Sequence, residues 1–351
     1  MFKSIKIKNL RAITELEINN LGQVNLFVGN NNCGKTTILE ALFFIIGNNN
    51  PNLPVNANAF RGLNFLSNEY WDSFFHNMEA DSNIRISVIL HKMQEEQKLV
   101  IRPVIKKQTT AKPVSSDIVS IGIQNGDAKP AFTPNGLELI YTSSQDPTAK
   151  SISSIVLKGN ELITEGTKES FVRGVFVGPA TKFDWKTRFA SIQRKKRVGE
   201  LISSLKEIES DISDIRINEV GILEADVGLC KLIPVNLMGG GIANSLSILL
   251  GMLDSEDGIV LIDEIENGLH HSIQQKIWKA VFKWAQNLNV QVFATTHSNE
   301  CIRAFSNSVD TTLFGSEAKL FRIERKDEKF RAVEYSKELL KESVESNWEV
   351  R

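Results

Sequence analysis

Apolar and polar residues recur with two different periods near the start of the chain. Residues 2–8 and 14–20 alternate at every second position, and Val24–Val28 is a compact apolar run between two glycines, so three strands are predicted. From Thr36 to Ile46 the apolar residues recur at helical spacing, and a glycine ends the pattern. The residues that follow, 48–54, are rich in Asn and Pro and are predicted as a turn.

The middle of the chain, from Ile84 to about Val177, changes to short β-rich runs separated by loops that contain proline. This spacing predicts an antiparallel β region packed against the first strand–helix unit. The predicted strands are residues 84–90, 99–104, 118–123, 137–141, 152–157 and 171–177.

The later part of the chain returns to longer periodic segments. Apolar residues at helical spacing from Trp185 to Ile215 predict a helical arm or hairpin. After Pro234 helices and strands alternate again, and the tail from Lys319 has the pattern of a hairpin followed by a charged helix. The helices predicted in this part are 242–253 and 271–288, and the strands are 259–262 and 290–294.

With 351 residues, the chain is long enough for about two domains or for one large domain that carries an insertion. We predict two α/β lobes, residues 1–180 and 233–351, with a helical insertion over residues 181–232. The 41 basic and 42 acidic side chains leave a net charge of −1. The net charge therefore gives no overall electrostatic attraction for nucleic acid, and any contact with nucleic acid needs a local basic patch.

Cysteine content and the N-terminal pattern indicate the compartment. Three scattered cysteines are too few for a disulfide framework and indicate a reducing environment. The first residues alternate charged and apolar side chains, unlike a signal peptide, and no run approaches the roughly 18 apolar residues of a membrane helix. We therefore expect a cytoplasmic protein without a membrane partner.

A phosphate-binding pattern, G-x-x-x-x-G-K-[ST], lies between the third predicted strand and the first helix. Backbone N–H groups of such a loop point at phosphate oxygens, and the helix N-terminus adds a partial positive charge. Lys35 would bridge the β- and γ-phosphates of ATP, and the Thr36 hydroxyl would ligate Mg²⁺; the alternative is a surface turn rich in Asn and Gly. The predicted nucleotide-binding residues are Gly29, Asn30, Asn31, Asn32, Cys33, Gly34, Lys35, Thr36 and Thr37.

Two acids directly follow the apolar run over residues 259–262. A buried parallel strand would place Asp263 at its carboxyl edge, beside the phosphate loop. Asp263 would then hold the hydration shell of Mg²⁺, and Glu264 would polarise the water that attacks the γ-phosphate. The alternative is an exposed acidic start of a helix.

Three histidines follow the acid pair. The side chains of His270 and His271 point apart because the two residues are adjacent, which argues against a metal site. His297 lies just beyond a predicted strand, about 30 residues after Glu264. We predict that it senses the γ-phosphate by a hydrogen bond, with a purely structural role as the alternative.

A glycine run, Gly239, Gly240 and Gly241, opens the helix predicted over residues 242–253. Consecutive glycines at a helix N-terminus form an anion site. Because the phosphate loop already provides one cradle, a second one indicates a nucleotide held between two subunits. The alternative is a flexible turn.

Taken in order, these motifs resemble an ABC-type ATPase head, close to the bacterial ATP-binding proteins of the OLD (overcoming lysogenization defect), RecF and SMC-type group. The resemblance implies an α/β fold, a P-loop ABC-type head with an antiparallel β subdomain and a short helical insertion. It also implies hydrolysis of ATP with Mg²⁺ and a head-to-head dimer in which the glycine run of one subunit completes the site of the other. The motifs that carry it are residues 7–11, 29–37, 237–241, 260–270 and 293–300.

The chain departs from the transporter-type pattern in two places. Met238 and Gly241 stand where the transporter signature has serine and glutamine. The glutamine of the Q-loop has no clear counterpart, since Gln94 and Gln97 both lie in the β region.

The resemblance also bears on partners. OLD proteins carry a Toprim-type nuclease module after the ATPase, whereas only about 50 residues follow His297 here, so we expect an ATPase without its own nuclease. In related bacterial systems such ATPases act with a separately encoded effector, commonly in defence against phage. We therefore expect a homodimer or higher oligomer that controls an effector such as a nuclease or toxin.

Other functions are left open. They are an ATP-binding scaffold with little turnover, a DNA repair or maintenance ATPase, and a transporter subunit, which the altered signature disfavours. A basic cluster with interleaved aromatic residues, 182–188 and 194–197, could contact a DNA backbone; the alternative is a solvated helix face.

Overall fold

The structure is a computed structural model, and the part of the chain that it describes has several gaps. The predicted strand 118–123, Phe171, and the first three residues of the basic cluster, Lys182 to Asp184, lie outside the described residues. The described residues are 1–63, 69–91, 94–105, 134–166, 172–179, 181, 185–311 and 317–346.

Strands and helices alternate irregularly along the described chain. The strands are β1 (Phe2–Leu10), β2 (Ile13–Ile18), β3 (Val24–Val28), β4 (Ile84–Leu90), β5 (Glu96–Ile105), β6 (Pro134–Ser143), β7 (Asp146–Lys158), β8 (Glu161–Glu165), β9 (Gly174–Val177), β10 (Asp214–Ile217), β11 (Leu223–Asp226), β12 (Ile233–Pro234), β13 (Ile259–Ile262), β14 (Gln291–Thr295), β15 (Ala318–Lys326) and β16 (Lys329–Tyr335). The helices are α1 (Lys35–Ile46), α2 (Asn52–Phe60), α3 (Trp185–Arg194), α4 (Val198–Ile208), α5 (Gly240–Asp254), α6 (His271–Asn287), α7 (Asn299–Thr311) and α8 (Lys337–Glu345), with short 3₁₀ turns at Asp72–Phe74, His76–Met78 and Val235–Leu237.

A mixed sheet in the order β16-β15-β3-β14-β13-β9 lies at the centre of the fold. All of its neighbouring strands pair in parallel except β16, which forms a hairpin with β15. The central strands β3, β13 and β14 are buried along their whole length, as expected for parallel strands covered on both faces. Their carboxyl ends meet at one edge of the sheet, and ligands bind at such edges.

A second, antiparallel sheet in the order β2-β1-β4-β5-β6-β7-β8 packs against the first. Helix α1 lies between the two sheets, because its apolar residues share one buried cluster with Phe27 and Phe293 of the parallel sheet and with Ile7 and Ile86 of the antiparallel sheet. The predicted antiparallel β region and its packing against the first strand–helix unit are therefore confirmed. The extension of this region to Val177 was wrong, because β9 pairs in parallel with β13 in the first sheet.

The other face of the parallel sheet is covered by helices α5, α6 and α7. Side chains alternate along β3, so that Leu26 faces these helices while Phe27 faces α1. The two clusters make this a mixed α/β fold of layered sheets and helices, as predicted.

The predicted helical segment from Trp185 to Ile215 consists of α3 and α4, and the segment is packed against the rest of the protein. The indole of Trp185 donates to the hydroxyl of Ser247 over 2.8 Å, and Leu201 and Leu205 are fully buried. The prediction of helix was wrong at its end, because Ile215 lies in β10, a strand of a small sheet formed by β10, β11 and β12. The division of the chain into three parts stays a prediction.

The turn predicted over residues 48–54 was also wrong in part, because α2 begins at Asn52. Pro51 lies directly before it, with a helical backbone that allows proline at a helix start. The hairpin and the helix predicted for the tail are confirmed as β15–β16 and α8. Among the described residues, no helix combines the length and the apolar character needed to cross a membrane.

Candidate nucleotide-binding site

The loop between β3 and α1 has the backbone of a phosphate cradle. The φ of Gly29 is +142° and that of Gly34 is +93°, a region of conformational space that favours glycine. A Cβ on Gly29 would come within 2.4 Å of the carbonyl oxygen of Ile323, so this position also has no space for a side chain. Gly34 precedes the first residue of α1, which leaves the N–H groups at the start of that helix directed at the loop.

The side chain of Lys35 is buried within this loop. Its ammonium group donates to the carbonyl oxygens of Gly29 over 2.7 Å and Asn30 over 2.9 Å. Because both acceptors are uncharged, these contacts do not neutralise the positive charge of the ammonium group. The group can therefore attract a phosphate.

Thr36 and Asp263 meet at the carboxyl edge of the parallel sheet. The Thr36 hydroxyl donates to Asp263, with Oγ1 3.1 Å from Oδ1 and 3.2 Å from Oδ2, and the Thr295 hydroxyl donates to Oδ1 over 2.7 Å. Burial raises the pKa of Asp263, and the charges of Glu264 and Glu40 add to this rise, although the two hydroxyl donors oppose it. The folded protein therefore keeps a carboxylate here at an electrostatic cost, which a bound cation would relieve.

The donor set at this point fits Mg²⁺. A hydroxyl and a carboxylate are oxygen ligands, and Mg²⁺ is held in nucleotide sites by one or two protein oxygens together with phosphate oxygens and water. The described residues contain no group of three or more His, Cys, Asp or Glu side chains arranged as a complete metal cage. The protein thus provides part of a coordination shell, of the kind that a nucleotide completes.

Glu264 and His297 lie on the open side of the same edge. The imidazole Nε2 of His297 is 3.0 Å from Oε1 of Glu264, and both side chains are 40% exposed. Glu264 has a φ of +52°, an uncommon conformation for this residue type, and its N–H donates to the Thr295 hydroxyl over 2.9 Å. The N–H of His297 donates to Glu266 over 2.9 Å, so both residues are positioned by backbone contacts.

A cavity of about 680 Å³ joins these groups. Basic residues that the sequence analysis did not assign to the site contribute to it: Arg11, Arg61 and Arg325. A cationic wall favours a polyanion such as a triphosphate. The full lining is Arg11, Ala12, Asn31, Asn32, Gly34, Lys35, Thr36, Thr37, Arg61, Glu264, His297 and Arg325.

Two of these arginines are held by one buried acid. Arg11 Nε donates to Glu40 over 2.6 Å, and Arg61 Nε donates to the other oxygen of Glu40 over 2.6 Å. Arg11 also donates to the side-chain oxygen of Asn58 over 2.9 Å and to the carbonyl oxygen of Ser73 over 3.0 Å. Because Glu40 belongs to α1, the network fixes both guanidinium groups relative to the phosphate loop.

The glycine run does not line this cavity in the described part of the protein. Gly239 has a φ of +94° and precedes α5, and both Gly239 and Gly240 are exposed at the surface. Gly241 packs closely on the backbone of Gly268, because a Cβ on Gly241 would come within 2.8 Å of the Gly268 carbonyl oxygen. The run therefore has a structural contact within the chain, and its role in a neighbouring subunit stays a prediction.

Other candidates from the sequence lie elsewhere. His270 caps α6, since its side chain accepts from the N–H of Ser272, and its ring is 4.0 Å from that of His271. Gln94 and Gln97 lie at the start of β5 and do not reach the nucleotide cavity. The prediction that these two side chains point apart was wrong, because the cap at the start of α6 brings the two rings into contact.

The described part of the basic cluster is partly neutralised by acids. Arg197 pairs with Glu256 over 2.9 Å, and Arg188 lies 3.8 Å from Asp254. Lys195 donates to the carbonyl oxygen of Asp254 over 3.4 Å. These contacts weaken the field that a DNA backbone would meet and favour the interpretation as a helix surface.

Comparison with known families places the chain in a defined class. The model of the family described as "AAA domain, putative AbiEii toxin, Type IV TA system" matches residues 24–303. The chain therefore belongs to this family of AAA ATPase domains. The matched range runs from β3, through the phosphate loop, to the start of α7.

Individual relatives agree with this class. The chain is 23% identical, over 93% of its length and 94% of the other protein, to an "ATP/GTP phosphatase" of Helicobacter pylori. Its fold is similar to an SMC head bound to the C-winged helix domain of ScpA, with a TM-score of 0.53 and 10% identity over 95% of this chain and 98% of that one. It is also similar to an Smc head domain bound to the C-terminal domain of ScpA derived from Pyrococcus furiosus, with a TM-score of 0.51 and 10% identity over 99% of both chains. The family and the phosphatase relative support an ATPase of the AAA and SMC-head type, with nucleotide hydrolysis as its general chemistry.

Proposed function

We propose that this chain binds and hydrolyses Mg²⁺-ATP and uses the cycle as a dimerisation switch that controls a separately encoded effector. The observation that carries this proposal is the convergence of Lys35, Thr36, Glu264 and His297 around one cavity at the carboxyl edge of the sheet, where Thr36 also donates to Asp263. More than 200 positions of sequence separate Lys35 and Thr36 from the three later residues, and the fold brings the two groups together.

Nucleotide binding is assigned to the phosphate loop between β3 and α1. The N–H groups at the start of α1 and the Lys35 ammonium would hold the β- and γ-phosphates, and the nearby arginines would add positive charge. The Thr36 hydroxyl and the Asp263 carboxylate would hold Mg²⁺, which would neutralise charge between the terminal phosphates when bound. Relief of the buried charge on Asp263 is part of the binding energy.

Hydrolysis is assigned to the open side of the cavity. Glu264 would orient the attacking water and accept its proton, and its exposure allows water to reach it. His297 would hold the Glu264 carboxylate through Nε2 and contact the γ-phosphate once ATP is bound. The backbone contacts of both residues with Thr295 and Glu266 would keep this pair in position during turnover.

Dimerisation is proposed through the glycine run. Gly239 and Gly240 are exposed at the N-terminus of a 15-residue helix, which favours an anion at this point. The γ-phosphate bound by one copy would meet these glycines of a second copy. ATP would thereby close the dimer, and its hydrolysis would open it.

The effector and the biological role are supported by the family description, which refers to a putative toxin of a type IV toxin–antitoxin system. The SMC-head relatives are bound to another protein, ScpA, which shows that a head of this fold can present a protein-binding surface. We propose a role in defence against phage, in the cytoplasm, with a nuclease or toxin as the controlled partner.

Phosphate release by the purified chain tests the enzymatic part. We expect turnover that requires Mg²⁺ and ATP, and we expect Lys35→Ala to lose nucleotide binding, measured with a fluorescent ATP analogue. Lys206→Ala, an exposed substitution on α4, is the matched control and should bind normally. Nucleotide-stabilised dimers without any phosphate release would instead support an ATP-binding scaffold.

A further inference from the structure

A second cavity, of about 620 Å³, opens at the far end of α1 from the phosphate loop. Helix α1 has 12 residues, so its two ends are about 18 Å apart. The lining of this cavity shares no residue with that of the nucleotide cavity among the described residues. Its volume lies in the range of small-molecule sites, about 300–1,000 Å³.

The deep part of this cavity holds a buried acid. Glu95 is 8% exposed, and its carboxylate accepts from the Ser143 hydroxyl and lies 3.5 Å from the side-chain amide of Gln97. None of the ion pairs found within the described ranges involves Glu95. Burying a carboxylate with only neutral donors is costly, and a bound cation would offset that cost.

Two further side chains that line the cavity can donate hydrogen bonds. Asn48 is 3% exposed, and its side-chain NH₂ group has no acceptor among the residues that the structure describes. Burial and the charge of Glu95 raise the pKa of Tyr141 to about 12, so its phenol stays protonated and can donate. An unpaired buried amide is uncommon in a folded protein and indicates an acceptor on a ligand.

The surroundings also favour a positive charge. Asn48 lies just beyond the C-terminus of α1, where the helix dipole places partial negative charge. The ring of Tyr141 offers a face for cation–π contact, and Leu90 and Val172 add apolar surface. The exposed residues Asp146 and Lys150 lie at the mouth and carry opposite charges.

We propose that this cavity binds a small organic cation, an ammonium or guanidinium group with a neighbouring carbonyl or hydroxyl acceptor. Glu95 would pair with the cation, and Asn48 and Tyr141 would donate to the acceptor. A free amine metabolite and a basic side chain of a partner protein both present this chemistry. The site is independent of ATP hydrolysis, so its test does not depend on the function proposed above.

Calorimetry with three probes and no nucleotide tests this site. The probes are putrescine as a free diamine, N-acetyl-argininamide as a basic side chain with an amide acceptor, and N-acetyl-citrullinamide as its neutral isostere. We expect at least one cation to bind with a Kd below the millimolar range, and the citrulline compound to bind at least tenfold more weakly. The tighter of the two cations indicates whether the natural ligand is a free amine or a basic side chain.

Variants assign the binding to the cavity. Glu95→Gln should weaken the cation at least tenfold, whereas Glu161→Gln, an exposed change on β8 of the same sheet, should leave its Kd within twofold. Because a buried change can disturb folding, Ala149→Trp at the exposed mouth is a second variant that should block entry without entering the core. Absence of cation binding, equal binding of the neutral compound, or undiminished binding by both variants would overturn the proposal.

Discussion

The imidazole of His297 lies 3.0 Å from the carboxylate of Glu264, between Nε2 and Oε1, at the open side of the nucleotide cavity. These residues are 33 positions apart and follow two neighbouring parallel strands, β13 and β14. The pairing gives the acid that would activate water a fixed partner. Each residue also has its own backbone contact, so one side chain can be replaced while the other keeps its position.

His297→Ala should lower phosphate release about a hundredfold while leaving ATP affinity within a few-fold. The change removes the hydrogen bond to Glu264 but none of the groups of the phosphate loop. Steady-state turnover and equilibrium binding of an ATP analogue measure the two effects separately. His271→Ala, at the exposed start of α6, is the control and should turn over normally. Full activity of His297→Ala would remove this residue from the catalytic account.

Asp263→Asn should raise the melting temperature of the nucleotide-free protein at neutral pH, because it removes a carboxylate whose pKa burial and neighbouring acids have raised. A raised carboxyl pKa means that the folded state binds the proton more readily than the unfolded chain, so ionisation of Asp263 lowers stability as pH rises through this pKa. We expect a gain of about 1 kcal/mol, or roughly 1–2 °C for a chain of this length. The gain should shrink as pH falls through the raised pKa of the native Asp263 carboxyl, because this group then takes up its proton.

Scanning calorimetry at several pH values, with and without Mg²⁺-ATP, measures this effect. The same variant should lose the stabilisation that Mg²⁺-ATP gives the unaltered protein. Asp211→Asn, at an exposed position, should change neither quantity. A nucleotide-free Asp263→Asn protein that melts lower than the unaltered chain at neutral pH would show that Asp263 is stabilised, not strained, in the fold.

Glu40→Gln should destabilise the protein by about 3 kcal/mol, because it leaves the largely buried guanidinium of Arg11 without its counter-charge. Burial already lowers the pKa of Arg11, and the charge of Glu40 opposes that effect. Urea denaturation followed by tryptophan fluorescence gives the free energy of unfolding. Glu15→Gln removes an exposed acid that pairs with Lys6 and Lys8, and it should leave the denaturation midpoint nearly unchanged. Equal midpoints for the two variants would contradict the importance of the buried network.

Gly240→Gln should block ATP-dependent association while leaving ATP binding by a single chain intact. A Cβ at this position meets only the Cα of Gly268, at 3.9 Å, so the isolated protomer has room for the side chain. In the proposed dimer, the phosphates bound by a second copy approach the start of α5. The glutamine side chain would occupy the space that these phosphates need. Gly199→Gln is the matched control, since a Cβ there meets nothing within 4 Å and the residue is an exposed position of another helix, α4. Analytical ultracentrifugation with ATP distinguishes the two variants.

Much of the fold could be predicted from local pattern. The run 259–262 is apolar throughout and Val24–Val28 is apolar except for Asn25, because parallel strands are buried on both faces. The phosphate loop identifies the helix that follows Val24–Val28. Asp263 was predicted to lie at the carboxyl edge of its strand, beside the phosphate loop, and its contact with Thr36 shows that it does.

The arginines of the cavity could not be predicted, because their proximity depends on contacts between distant parts of the chain. Arg325 lies in the tail, and it reaches the phosphate loop because β15 pairs in parallel with β3, a pairing that no local pattern reveals. Arg61 follows α2, whose Asn- and Pro-containing start has the composition of a turn although tertiary packing makes it helical. Glu40 looked like an ordinary polar residue of α1, and only the fold shows the two arginines that it pairs with.

The central claim is that ATP bound at the phosphate loop closes two copies of the chain and that hydrolysis, assisted by Glu264, reopens them. Glu264→Gln tests it directly, because the amide keeps the shape of the side chain but cannot accept the proton of the attacking water. Light scattering after size exclusion should give the mass of two chains with Mg²⁺-ATP and of one chain with Mg²⁺-ADP, while phosphate release falls by about 10²–10⁴-fold. A single-chain mass under both conditions, or turnover equal to that of the unaltered protein, would contradict the account.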